Sequence, residues 1–103
     1  MIRITVLYPA GDGLTFDMDY YLKTHIPLFQ KRMGAAMTDL SVEKGISAGM
    51  PGSPAPYVAM VRGSFESVEA FAAAFARHAA EIQGDIPNYT NIRPVVQISE
   101  VLV

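Results

Sequence analysis

Residues 2–34 read IRITVLYPAGDGLTFDMDYYLKTHIPLFQKRMG, and the change of period within them decides the fold. Ile2, Ile4, Val6 and Tyr8 alternate with Arg3, Thr5 and Leu7, the period-two pattern of a half-buried strand. Pro9-Ala10-Gly11-Asp12-Gly13 breaks it. Asp17 then offers an N-cap to a helix running to Met33, with Gly34 as its stop. Met18, Tyr21, Leu22, His25, Leu28, Phe29 and Met33 recur at three- and four-residue steps, so one stripe faces the core. Pro27 sits inside that pattern without an amide hydrogen for the Lys23 carbonyl, and a kink or an interruption of the helix is expected there.

The same order recurs downstream. Leu40, Val42 and Ile46 mark a second strand, Ala48 to Pro56 a Gly/Pro-rich connector, and Tyr57 to Phe65 a third strand. Ser67 caps a second helix whose stripe is Val68, Phe71, Ala72, Phe75, Ala79 and Ile82, ending at Gly84 or Pro87. Pro94 to Val103 reads as the last strand. Strand–helix–strand, twice, within 103 residues predicts a single α+β domain spanning 1–103. The expected architecture is a ferredoxin-like βαββαβ sandwich: a four-stranded antiparallel sheet with two helices on one face. The other face would be uncovered, with apolar residues beside Arg3, Arg62, Glu43 and Gln97. A partner is expected to cover it, most simply a second copy.

Composition excludes several function classes. The net charge is −2 and the eight Lys and Arg are dispersed, which argues against a nucleic-acid or anionic-membrane surface. Without cysteine there is no disulfide framework, thiolate zinc site, iron–sulfur cluster or cysteine nucleophile. The apolar run Ile4 to Leu7 is too short for a signal-peptide core, and a cytoplasmic protein is the simplest expectation. Gly11-Asp12-Gly13 follows a strand but lacks the further glycine and acidic partner of a dinucleotide site. No cofactor is expected.

His25 stands out among candidate site residues. It lies mid-stripe, one turn after Tyr21, and should point at the sheet. A partly buried imidazole beside a phenol suits a general base or a hydrogen-bonding group. The alternative is a core histidine satisfied by a backbone carbonyl, and spacing alone favours it. His78, at the edge of the second helix stripe, is a second pocket residue or a solvated helix-edge histidine. The two histidines lack the carboxylate signature of a metal site, so no metal is expected. Tyr57 and Tyr89, with Tyr20 and Tyr21, supply hydroxyls that suit the lining of an apolar pocket.

Phe16-Asp17-Met18-Asp19-Tyr20-Tyr21-Leu22-Lys23-Thr24-His25-Ile26-Pro27-Leu28 resembles the F-D-x-x-Y-Y-x-x-x-H-x-P-L signature of the EthD family. The stretch Asp85 to Val101, with Asn88-Tyr89-Thr90-Asn91, Pro94, Gln97 and Ser99-Glu100-Val101, is similar to that family's C-terminal pattern. The resemblance implies a dimeric α/β barrel with two sheets packed face to face. It implies a cleft between helices and sheet with His25 and Tyr21 at its wall. It further implies a link to ethyl tert-butyl ether degradation beside a cytochrome oxygenase, a role often labelled oxidoreductase. Related methylmuconolactone isomerases share the Tyr–His spacing but add a cysteine, and related haem-degrading monooxygenases use a tryptophan; both residues are absent here.

Two functions are therefore expected. One is a cofactor-independent enzyme, a monooxygenase-like oxidoreductase or an isomerase, in which His25 moves a proton on a small apolar oxygenated molecule and Tyr21 assists. The other is a binding or accessory protein that holds such a molecule for a separate oxygenase. A histidine with a purely structural role is the third and weakest.

Overall fold

A computed structural model describes all 103 residues. Its order is β1 (Ile2–Pro9), α1 (Met18–Tyr20), a π-helical turn (Tyr21–His25), α2 (Ile26–Met33), β2 (Met37–Lys44), β3 (Tyr57–Phe65), α3 (Val68–Ala76), α4 (Ala79–Gly84) and β4 (Val95–Glu100). The four strands form one antiparallel sheet ordered β2-β3-β1-β4, the ferredoxin-like arrangement. No helix is long and apolar enough to cross a membrane.

The alternation on β1 sets the layers. Ile4, Val6 and Tyr8 stand opposite Gly63, Val61 and Ala59 of β3 and face the helices. One core cluster gathers Tyr8, Tyr21, Ile26, Ala59, Val61, Tyr89 and Ile92, and a second gathers Ile4, Met33, Phe65 and Ile82. The molecule is only 19 Å thick along its shortest axis, which accommodates one sheet and one layer of helices. The opposite face carries Arg3, Thr5, Leu7, Met60 and Arg62 with no helix over it. There Arg62 Nη2 donates to Glu43 Oε1 at 2.8 Å and Arg3 Nε donates to Ser64 Oγ at 3.4 Å.

Local chemistry explains the helix boundaries. Asp17 Oδ1 accepts from the Tyr20 amide at 3.0 Å, and Ser67 Oγ accepts from the Ala70 amide at 3.1 Å. Gly34, at φ 55°, takes the conformation that closes α2, its amide donating to the Gln30 carbonyl. Arg32 grips Glu81 with two bonds, 2.7 and 3.1 Å, and so fastens α2 to α4.

Four expectations change in detail. At Pro27 the helix is interrupted rather than ended. It widens before the proline into a π turn, with the Ile26 amide donating to the Tyr21 carbonyl five residues back. The second helix is two pieces, because His78 leaves helical geometry (φ −126°, ψ 7°) and its amide bonds the Phe75 carbonyl. The second strand begins at Met37, where pairing with Phe65 starts, and ends at Lys44, leaving Ile46 outside and 93% exposed. The last strand stops at Glu100, opposite Ile2, with one further backbone bond from the Val101 amide to the Met1 carbonyl at 3.1 Å. β4 is also the barest element: its Val96 and Ile98 turn toward the helix side yet remain exposed.

Phe65 is fully buried and anchors the second cluster, whereas Ile46 touches solvent on nearly all sides. Phe65→Ala is expected to cost about 3–5 kcal/mol in urea denaturation, and Ile46→Ala less than about 0.5 kcal/mol. Equal losses in the two variants would contradict this placement of the core.

Candidate functional site

A cavity of about 380 Å³ lies between the helices and the sheet. Ile4, Val6, Tyr8 and Val61 form its floor, and Tyr21, His25, Ile26 and Phe29 one wall. Phe71, Phe75 and Ile82 from α3 and α4 form the opposing wall, and Pro94 and Val96 lie at the β4 end. No Lys, Arg, Asp or Glu side chain lines it. Its residues with polar side-chain atoms are His25, Tyr8, Tyr21 and Gln83.

The π turn delivers two of these groups. Tyr21 and His25 both project from it, and their rings lie nearly parallel, 5.6 Å apart at 15°. His25 is buried, and its Nδ1 lies 2.9 Å from Asp85 Oδ2. A carboxylate only accepts, so Nδ1 carries the proton and Nε2 keeps its lone pair. Asp85 Oδ1 in turn accepts from the Tyr20 hydroxyl at 2.6 Å and from Asn88 Nδ2 at 3.0 Å. Burial works to raise the Asp85 pKa, but the Tyr20, Asn88 and His25 donors outweigh it and hold the carboxyl below its ordinary range. At His25 burial dominates and lowers the pKa, with Asp85 pulling the other way. The imidazole is thus neutral near pH 7.

A chain of hydroxyls backs the site. The Tyr89 hydroxyl lies 3.4 Å from His25 Nε2 and 2.8 Å from the Tyr8 hydroxyl. Tyr8, Phe16, Tyr21 and Tyr89 pack edge-to-face or tilted, with centroids 4.9–6.1 Å apart. Burial pushes the ionisation of Tyr8, Tyr21 and Tyr89 upward, so all three keep their protons. Tyr21 is fully buried; its hydroxyl makes no hydrogen bond of ordinary geometry, yet lies near enough to the Tyr8 hydroxyl for each to shift the other's ionisation.

Of the residues expected at a site, His25, Tyr21 and Tyr89 come together. Tyr57 and His78 do not join them. Tyr57 opens β3 opposite Pro9 and lines a separate hollow with the connector that follows β2. His78 sits in the turn between α3 and α4, partly exposed and outside the cavity lining, because the helix breaks there. Sequence reasoning missed Asp85, Tyr20 as its donor, and Tyr8. Tyr8 was within reach, as the inward-facing residue at the end of the β1 alternation. Asp85 is 60 positions from His25, and no spacing rule joins them.

Comparison with known proteins gives a family match and several structural ones. The EthD domain model matches residues 14–92. The chain is similar to an EthD-like protein from Ralstonia eutropha JMP134, at 46% identity and TM-score 0.94 over 99% of this chain and 92% of that one. It shares its fold with an ethyl tert-butyl ether D (EthD) family protein from Bacillus halodurans C-125, at 17% identity, TM-score 0.68 and 99% of both chains. It also shares it with a putative monooxygenase from Shewanella loihica PV-4, at 12% identity and TM-score 0.59 over 99% of this chain and 94% of that one. No curated protein matches.

The His25 environment sets a pH dependence. Its folded pKa lies below the ordinary 6.5, so between the two values the unfolded chain binds more protons. This contribution to stability is complete above 6.5 and is lost as pH falls from there through the folded pKa. An NMR titration of the His25 ring is expected to give a midpoint below 6.5, lower still in Asp85→Asn, where the stabilising charge is gone. A higher midpoint in that variant would contradict the assigned pair.

Proposed function

Because the chain belongs to the EthD domain family, matching it over residues 14–92, we propose that it is a cofactor-independent catalyst of proton transfer on a small, apolar, oxygenated molecule. The observation that carries this reading is the Asp85–His25 pair, with a neutral imidazole at the wall of an apolar cavity. His25 Nε2 takes a proton from a carbon beside the substrate oxygen. The C–H electron pair moves toward that oxygen, and the Tyr21 hydroxyl stabilises the charge developing there. Asp85 holds the imidazolium that forms. Return of the proton to the same or another carbon completes an exchange or an isomerisation. The resulting carbanion or enolate is also the species that reacts with dioxygen in a cofactor-free oxygenation, a role in keeping with the monooxygenase-like fold neighbour.

One observation favours a second reading. The Tyr89 hydroxyl already lies 3.4 Å from Nε2, and a histidine engaged in this way suits a binding protein that holds the molecule for a separate oxygenase. The two separate by experiment. In deuterated water, NMR should show protein-dependent exchange of activated C–H protons across a panel of aryl ketones and lactones. His25→Asn should leave the fold intact and slow that exchange about 100-fold or more. Ligand binding without any exchange would replace the catalyst with the carrier.

The proposal takes the protein as a homodimer through the sheet face that bears Leu7, Met60, Arg62 and Glu43, since a two-layer molecule leaves that face to solvent. Sedimentation velocity at micromolar concentration is expected to give twice the chain mass, and Met60→Asp to shift it to monomer. A wild-type monomer at that concentration would remove the face-to-face assembly.

A further inference from the structure

The cavity has a closed end and an open one. Tyr8, Tyr21, His25, Ile26 and Val61 are buried, whereas Gln83 on α4 and Val96 on β4 are the two lining residues that are themselves exposed. The mouth therefore lies between α4 and β4. Val96 pairs with Val6, another lining residue, and so turns to the helix side, where it is 58% exposed. Two positions along, Ile98 continues the apolar strip outside the mouth. A second copy on the opposite sheet face would leave this opening free.

Size, lining and charge then define an occupant. At about 380 Å³ the cavity has more than twice the roughly 150 Å³ that accommodates a single benzene ring in an apolar core. Six of its fifteen lining residues carry aromatic rings: Tyr8, Tyr21, His25, Phe29, Phe71 and Phe75. Tyr21 and His25 lie nearly parallel at 15°, and Phe71 and Phe75 of the opposing wall at 14°. Such rings favour an aromatic guest through edge and offset contacts that a saturated one does not return. No charged side chain lines the cavity. An anion would shed its hydration there without meeting a counter-charge, and the carboxylate bonded to His25 has its own sign. A cation would find that carboxylate already committed to Tyr20, Asn88 and His25.

We propose that the cavity binds an uncharged molecule built on two fused aromatic rings, that this molecule enters over β4 between Gln83 and Val96, and that Val96 sets the longest molecule admitted. This rests on the reading of the cavity as the functional site and gives that reading a substrate class. Selection comes from volume, ring contact and the absence of charge, with no hydrogen bond to the ligand required. Calorimetry with 2-acetonaphthone, acetophenone, 2-naphthoate and trimethyl(2-naphthyl)ammonium tests it, since the first and third share a shape and differ in charge. The wild-type protein is expected to bind 2-acetonaphthone at least tenfold more tightly than each of the other three, the second ring alone supplying that factor over acetophenone. Val96→Trp should weaken 2-acetonaphthone at least tenfold, with acetophenone affinity and melting temperature held. Val96→Ala should gain at least tenfold for the three-ring 2-acetylanthracene.

A 2-acetonaphthone that does not bind at its solubility limit would overturn the proposal. So would naphthoate, the ammonium or acetophenone binding that matches it, or a Val96→Trp variant and a Val96→Ala variant that both keep the wild-type affinities. Exchange of the ketone methyl protons, followed in deuterated water on the same samples, keeps the two readings apart. Tight, Val96-dependent binding of 2-acetonaphthone without exchange defeats the proton-transfer reading alone. His25-dependent exchange on acetophenone, with no preference for the second ring, defeats the fused-ring assignment alone.

Discussion

Pro27 has no amide hydrogen to give to the turn before it, and the site hangs on how the helix meets that constraint. A regular α-helix would require the proline ring to press on the Lys23 carbonyl. The ladder shifts instead to five-residue bonds, the backbone bulges, and Tyr21 and His25 emerge from the widened turn with their rings nearly parallel. Without the bulge the helix would still bury Ile26 and Met33. It would also keep Tyr21 one turn before His25; the wider turn accompanies the nearly parallel stacking of the two rings at the cavity wall.

The second requirement is electrostatic. A buried histidine needs an acceptor for its N–H, and Asp85 supplies one that is itself restrained by three donors. With Oδ1 occupied by Tyr20 and Asn88, the carboxylate has one free oxygen and meets His25 with it. The tautomer follows, and with it the direction in which the unprotonated nitrogen points. The break between α3 and α4 belongs to the same arrangement, because it sets the course of the segment that ends at Asp85.

Much of this was legible in the residues, and the part that was not has a common cause. The β1 alternation, the Asp17 and Ser67 caps and the Gly34 stop are local signals read over a few positions, and the sheet order follows from their succession. His25 and Tyr21 were legible because they share one stripe. Asp85 was not, since the pair is made by tertiary packing across 60 positions. The helix break at Arg77 and His78 had no glycine or proline to announce it. Tyr57 looked like the other tyrosines, but at the start of β3 it turns to the hollow beside the connector instead of the cavity.

The clustering of aromatic rings has an optical consequence. The chain has five tyrosines and no tryptophan, so all of its near-ultraviolet emission and most of its aromatic dichroism come from tyrosine. Tyr8, Tyr20, Tyr21 and Tyr89 lie within 6.4 Å of one another through successive ring contacts, and only Tyr57 stands apart. Excitation shared among those rings drains toward whichever of them is quenched. The protein therefore carries an intrinsic reporter centred on the cavity, and a molecule entering beside Tyr21 announces itself in the spectrum without any label.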